Sequence, residues 1–295
     1  MGIAGELSRG TRASERPESR LRLQNGRLEG IAAAHGKAWV VIPMTHERQP
    51  ITIIGSYLSP YVRKVLVVLH LKGLPYEIDP IVPFLGNEAF AALSPIRRVP
   101  VLIDDQVTLC DSTVICEYLE ERYPEPAVFP RPISERARAR WLEEYADTRM
   151  GEVFIWRLFN QVAINPFVWG EKTDMAIVER TLTEDVPQIL GYLERELPAS
   201  GFLFGAPSVA DVALATFFRN AAVARFQVDA ARWPLTAGFV DRVLTLDAFA
   251  RLRPFEDKLI RTPLAQHRSV LAEMGAPLTR ATLGTDVPRR GVMRI

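Results

Sequence analysis

Strand and helix signals alternate in short pieces between residues 51 and 123, and beyond a proline-rich break only helical ones remain. That change of texture divides the chain into a small two-layer α/β unit and a separate all-α one, because sheets and bundles bury apolar residues on different periods. ITIIG (51–55) is a β-branched run that reads as a buried strand. In the following YVRKVLVVLHLKG, Val62, Val65, Leu66 and Leu69 recur at i, i+3, i+4 and i+7, one face of a helix. Ser59 suits its N-cap, Pro60 its first turn and Gly73 its end. YEIDPIV (76–82) gives a second strand, and GNEAFAALSP a short, partly helical piece. PVLID (100–104) and QVTLC (106–110) flank an Asp104-Asp105 turn and read as an antiparallel hairpin. Asp111 and Ser112 then open the helix STVICEYLEERYP, with Val114, Ile115, Tyr118 and Leu119 on its buried face. The order is βαβαββα.

The segment PEPAVFPRPIS (124–134) has four prolines and no period, and reads as a semi-rigid linker. Helical periods then run through 134–160, 173–197, 208–225 and 236–260, interrupted at Pro166, Pro187, Pro198 and Pro234. The expected organisation is an extension over 1–49, an α/β domain over 50–123, a linker over 124–133, a helical domain over 134–262 and a tail over 263–295 with one short helix. The extension lacks a signal-peptide core, and its Glu6, Glu15 and Glu18 are residues a transit peptide avoids. It is expected to be disordered, and Met44 is an alternative start.

Composition excludes several partners. With 36 basic against 35 acidic residues, nothing in the charge favours capture of nucleic acid or an anionic membrane. No apolar run approaches the ~20 residues a membrane span requires. The two cysteines, Cys110 and Cys116, are too few for a disulfide framework and their spacing fits no zinc site. They read as small buried hydrophobes, and a reducing cytoplasm suits them.

An α/β unit of this order, a proline-rich linker and a helical domain resemble the soluble glutathione transferases, in which a thioredoxin-like domain precedes a helical one. Four motifs spread over 51–262 carry the resemblance. SPYVRKVLVVLHLKGLPYE (59–77) looks like the Ser-Pro-aromatic start of the first helix in the Tau class and in many bacterial members; the Omega class has cysteine at the Ser59 position. The resemblance makes Ser59 the catalytic hydroxyl, donating to the glutathione thiolate at a helix N-terminus that itself favours an anion. A plain helix cap accounts for the same serine, and one hydroxyl is not expected to serve both roles at once. RRVPVLID (97–104) resembles the segment that carries the family's cis proline. The likeness implies a cis Pro100, a Val99 backbone pairing with the cysteinyl part of glutathione, and Arg98 reaching its glycine carboxylate. A solvated surface charge also explains Arg98.

LCDSTVICEYLEERYP (109–124) resembles the family's acidic-Ser pair. It implies Asp111 as acceptor for the γ-glutamyl ammonium and Ser112, with its N–H, as holder of the γ-glutamyl carboxylate. A cap explains both equally well. SVADVALATFF (208–218) resembles a capping motif of the helical domain, which makes Ser208 and Asp211 structural.

The resemblance implies glutathione as co-substrate, a small apolar electrophile as second substrate, a homodimer and no metal. Tyr57, Tyr145, Phe154, Trp156 and Phe159 are candidate walls for the electrophile, and Asp147 a candidate acid for a partner's glutathione amine. With serine at 59, conjugation is expected in preference to thiol-disulfide chemistry. A glutathione-dependent isomerase or dehalogenase stays open, although the chain lacks the Ser-Ser-Cys run of the isomerase class. So does a binding or interaction protein of this fold with little turnover.

Overall fold

The computed structural model describes residues 50–290 and, ahead of them, two three-residue strands, β1 (Arg22–Gln24) and β2 (Arg27–Glu29). These pair antiparallel within a unit of their own, residues 1–48. The expectation for the rest of 1–49 lies outside the described residues.

From residue 50, β3 (Ile51–Ile54), β4 (Tyr76–Asp79), β5 (Val101–Ile103) and β6 (Thr108–Cys110) form one mixed sheet in the order β4-β3-β5-β6. β3 runs parallel to β4 and antiparallel to β5, and β5 pairs antiparallel with β6. The intervening helices are α1 (Pro60–Leu71), the six-residue α2 (Glu88–Leu93) and α3 (Ser112–Arg122). This is the thioredoxin-like βαβαββα order.

α1 is buried along its whole middle, Val62 through Leu69. Its apolar residues are not confined to one stripe, as expected of a helix covered on several sides; it packs against both α3 and the helical domain. α3 departs from its expected face in one place: Ile115 and Leu119 are fully buried, but Val114 is 46% exposed. It lies in the first turn, three residues after the Asp111 cap.

In the linker, the carboxylate of Glu120 accepts from Val128 N (3.0 Å), Phe129 N (3.3 Å) and Lys72 Nζ (2.7 Å). α4 (Ile133–Tyr145) then continues without a break into a wide, π-type helix over Ala146–Trp169. The expected break at Pro166 is absent. A wider coil relieves the clash of a proline ring with the preceding turn, and the helix stops instead at Gly170, φ +67°. α5 (Met175–Arg180) leads through a π-type turn at Thr181–Asp185 into α6 (Val186–Glu196), with Pro187 in its first turn rather than between helices. α7 (Val209–Val223) is the near-fully buried centre of this domain, packed on α1, α4 and the π-type helix. α8 (Pro234–Leu244), α9 (Asp247–Ala250) and α10 (Arg253–Leu259) complete it.

Beyond α11 (His267–Glu273) the chain returns to the sheet. Ile78 N donates to Pro277 O (2.7 Å) and Thr279 N to Ile78 O (3.1 Å), so the tail covers the outer edge of β4. Asp79, 2% exposed, fastens it by accepting from Arg268 Nη1 (3.1 Å), Thr282 Oγ1 (2.8 Å) and Leu283 N (2.6 Å).

Candidate functional site

Three chain segments meet at one end of the sheet because of its register. Ile54, the last residue of β3, pairs with Val101, the first of β5, and Val101 pairs with Cys110, the last of β6. The loop to Ser59, the Val99–Pro100 step and the start of α3 therefore leave from one row. The Val99–Pro100 bond is cis. Gly55 permits the close approach. At φ +147°, a Cβ there would lie 2.4 Å from Val62 Cγ2 and 3.0 Å from Val99 Cβ, so no other residue fits.

Ser59 is half-buried at the N-cap of α1, and its Oγ accepts from Val62 N at 3.4 Å. The expected competition between capping and donating does not arise. The cap uses an oxygen lone pair, which leaves the hydroxyl proton to donate elsewhere. No acidic residue occupies the first turn, so the positive end of the helix is unopposed.

Asp111 caps α3, its Oδ1 accepting from Thr113 N (2.9 Å) and Val114 N (3.3 Å). It does so with φ +81°, a conformation costly for a residue with a side chain and characteristic of binding and catalytic positions. The Asp111 side chain points to solvent, and Ser112 beside it is buried. Arg98 is exposed and held only by its backbone, which exchanges hydrogen bonds with Ser94 Oγ (3.0 and 2.9 Å). Its guanidinium has no hydrogen bond or ion pair among the described residues. Its neighbour Arg97 is committed to Gly86 O (2.9 Å).

Beneath Asp111 and Ser112 lies a charged cluster that sequence motifs did not indicate. Lys64 Nζ, fully buried, donates to Glu143 Oε1 (2.7 Å), Asp147 Oδ2 (2.5 Å) and Thr113 Oγ1 (3.2 Å). Asp147 Oδ2 also accepts from Thr113 Oγ1 (3.1 Å) and Ser112 Oγ (3.4 Å). Asp147, expected as an acid lent to a partner subunit, thus turns to its own chain, under the Ser112 hydroxyl. Among the described residues, Glu143 Oε2 and Asp147 Oδ1 are buried without a hydrogen-bond partner. Burial alone would lower the Lys64 ammonium pKa, but Asp147 and then Glu143 outweigh it and hold the group charged. Burial pushes Glu143 up, against the pull of Lys64. One ammonium therefore serves two carboxylates. The only local signal was a basic pair, Arg63-Lys64, inside an apolar helix.

Tyr61, of the Ser-Pro-aromatic motif, donates to Asp147 O (3.0 Å) and meets Phe217 edge-on. Burial, then Asp147, raises its phenol pKa far above the usual value, so it stays protonated. Neither cysteine is an activated thiol. Burial raises both, Cys110 donating to Leu93 O (3.1 Å) and Cys116 fully buried.

Ser208 and Asp211 form a capping box at the start of α7. Asp211 Oδ2 accepts from Ser208 N (2.9 Å) and Oγ (2.6 Å), and Oδ1 from Leu203 N (3.0 Å). Of the candidate wall residues, Tyr57 and Phe154 are completely buried and Phe159 nearly so, and these belong to the core. Phe154 packs against Phe218 and Phe226. Tyr145 meets Tyr192 at a tilt of 46°, ring centroids 4.4 Å apart. Trp156 lines a cavity of about 720 Å³ with Phe84, Trp169 and Arg290, none of which is a predicted site residue. Among the described residues no group of three or more His, Cys, Asp or Glu is placed to hold a metal ion, and no helix is long and apolar enough to cross a membrane.

Comparison with known proteins gives a consistent family. The glutathione S-transferase N-terminal domain matches residues 53–127 and the glutathione S-transferase C-terminal domain residues 141–244. A maleylacetoacetate isomerase of Pseudomonas aeruginosa is 32% identical over 206 residues, 67% of this chain and 93% of that protein. The uncharacterized GST-like protein YibF of Escherichia coli is 36% identical over 96 residues; the chain spans about half of its length, 48%. Among solved structures, a glutathione S-transferase from Rhodospirillum rubrum superposes with a TM-score of 0.63 at 28% identity, covering 68% of this chain and 91% of that one.

Proposed function

Because the chain belongs to the glutathione S-transferase family, we propose that it is a glutathione transferase whose α/β domain binds glutathione and presents the thiolate to Ser59 for attack on a small apolar electrophile. The observation that carries this is the register row Ile54–Val101–Cys110, which brings the N-terminus of α1, the cis Val99–Pro100 step and the N-terminus of α3 to one end of the sheet. Ser59 donates to the sulfur, and the positive end of α1 lowers the thiol pKa. The Val99 backbone pairs with the cysteinyl residue, with Pro100 setting its direction. The uncommitted guanidinium of Arg98 takes the glycine carboxylate. The Ser112 N–H holds the γ-glutamyl carboxylate, and Asp111, with the buried negative charge of Asp147 beneath, takes the ammonium. Ser59-Pro60-Tyr61 supports reading the chain as a Tau-like or bacterial Ser-Pro-aromatic member. By family likeness the working assembly is a homodimer, and the compartment is the cytoplasm.

The test is retention on immobilised glutathione together with conjugation of a chloronitrobenzene-type electrophile. Ser59→Ala is expected to keep retention and lower kcat about a hundredfold, the usual cost of losing a donor to the reacting anion. Retention with no turnover over a broad electrophile panel would refute the enzyme reading. The isomerase relative favours a second reading, in which the thiolate adds to an activated double bond and leaves again after rotation, so that no glutathione is consumed. Turnover of maleylacetoacetate without thiol loss would select it.

A further inference from the structure

The loop that presents Ser59 is held from the other domain. Arg63, 2% exposed on α1, points away from the Lys64 cluster toward α7 and α10. Its Nε pairs with the Glu256 carboxylate, and its Nη1 donates to Thr216 O (2.9 Å), Thr216 Oγ1 (3.1 Å) and Asn220 Oδ1 (2.9 Å). Its Nη2 donates to Tyr57 O (3.4 Å). With Oδ1 taken by Arg63, the Asn220 amide has its nitrogen facing the loop, where Nδ2 donates to Leu58 O (2.9 Å). The Thr216 hydroxyl, accepting from Arg63, donates in turn to Pro60 O (3.3 Å). The carbonyls of Tyr57, Leu58 and Pro60, on either side of Ser59, therefore each receive a donor from this one network. Glu256 is fixed in turn by Arg219 Nε (2.8 Å).

Buried carbonyls need donors. Here they are tied to a charged, buried network anchored in the helical domain. We propose that Asn220, with Arg63 and Thr216, is a set of positioning residues that fixes the direction of the Ser59 hydroxyl toward the glutathione sulfur. The inference rests on the reading of Ser59 as thiolate donor. A donor to an anion loses most of its worth when misplaced by about 1 Å, so holding the loop carbonyls is a means of holding catalysis.

Asn220→Asp keeps an acceptor for Arg63 and turns the donor facing Leu58 O into an acceptor, and the Ser59→Ala background controls for the negative charge it adds. The readouts are the thiol pKa of bound glutathione, from ultraviolet titration of the thiolate, and the split between kcat and KM. The expected result is a thiol pKa raised by about one unit and kcat at neutral pH lowered roughly tenfold, with KM for glutathione within about twofold of wild type. Thr216→Val, nearly isosteric, is expected to act in the same direction and carries the test if the aspartate variant does not fold. In a Ser59→Ala background Asn220→Asp should add almost nothing, since its route to the sulfur is gone. Variants that lower only the thermal midpoint, leaving thiol pKa and kcat at wild-type values, would overturn the proposal. A wild-type protein that retains glutathione without lowering its thiol pKa overturns the Ser59 reading itself, and with it this one; that outcome is seen before any variant is made.

Discussion

Replacing Lys64 with methionine keeps the aliphatic stem and removes the charge, which leaves Glu143 and Asp147 facing one empty point. Each has an oxygen within 2.7 Å of the Lys64 nitrogen, and their side chains are 0% and 15% exposed. At a separation of about 5 Å and an effective dielectric of ~20, two such charges repel by about 3 kcal/mol. Breaking a buried pair by removing one partner costs about 3–5 kcal/mol, in line with that figure. The protein can escape by binding a proton on Glu143, whose pKa is already raised by burial and whose ordinary value is 4.5. At ~1.4 kcal/mol per pH unit that proton costs about 3 kcal/mol at pH 7 but under ~1 kcal/mol at pH 5. A carboxyl raised in the folded state contributes stability at low pH that is lost as pH rises through its folded pKa. The Lys64→Met defect should therefore shrink on acidification. Urea unfolding at pH 8, 7, 6 and 5 is the assay, and at pH 7 a loss of about 3 kcal/mol lowers the thermal midpoint by roughly 6–12 °C. Lys64→Met/Glu143→Gln should recover about 2 kcal/mol or more at pH 8, by removing one of the two charges. A defect that is flat from pH 5 to 8 and unrelieved by Glu143→Gln would refute the charge argument and leave only lost packing.

Asp211→Ala removes the acceptor of Ser208 N, Ser208 Oγ and Leu203 N and should cost roughly 2–3 kcal/mol in urea unfolding, while folded protein keeps its KM for glutathione. Gly55→Ala forces a Cβ to 2.4 Å from Val62 Cγ2 at a left-handed φ. It should lose at least about 2 kcal/mol together with glutathione retention, and unchanged stability would show that the loop and the Val99 step are not as close as drawn. Asp79→Ala removes the acceptor shared by Arg268 Nη1, Thr282 Oγ1 and Leu283 N. The tail should come away from β4, seen as faster tryptic cleavage at Arg280 and Arg289, and equal cleavage rates would sink the assignment of Asp79 as its fastening.

The βαβαββα order was readable because strand and helix periods alternate cleanly there and Ser59, Gly73 and Asp111 mark helix ends with residues chosen by backbone chemistry. Pro166 misled for a local reason: a proline stops an ordinary helix, and nothing in the composition of 146–169 announces a wider one. The tail was opaque because Asp79 and Leu283 lie 204 residues apart, and an edge pairing that distant leaves no period. Helical spacing puts Val114 on the inward stripe, yet it is 46% exposed, because spacing locates a stripe without locating the element that covers it. The motifs point to segments that the sheet register brings to one end, whereas Glu143 carries no sequence signal and Asp147, expected to serve a partner subunit, pairs with Lys64 of its own chain. Their carboxylates look like the solvated face of any amphipathic helix until the partner is known.

Arg63 and Lys64 show how the two domains share one site. Consecutive residues on a helix point about 100° apart, so adjacent basic residues on α1 necessarily address different neighbours. Lys64 reaches α4 and the π-type helix through Glu143 and Asp147, and Arg63 reaches α7 and α10 through Thr216, Asn220 and Glu256. Each is buried and charged, which is unfavourable unless its partner stays in place. The α/β segment taken alone would lose both sets of partners at once and expose an apolar helix carrying two uncompensated cations. The N-terminal turn of α1, with Ser59 at its tip, is thus held in the direction it has by helices that are more than 75 residues further along the chain, the separation from Lys64 to Glu143 being 79 and from Arg63 to Glu256 being 193. If Ser59 is the thiolate donor proposed above, a substitution in the helical domain that touches no part of the tripeptide is expected to alter thiol activation.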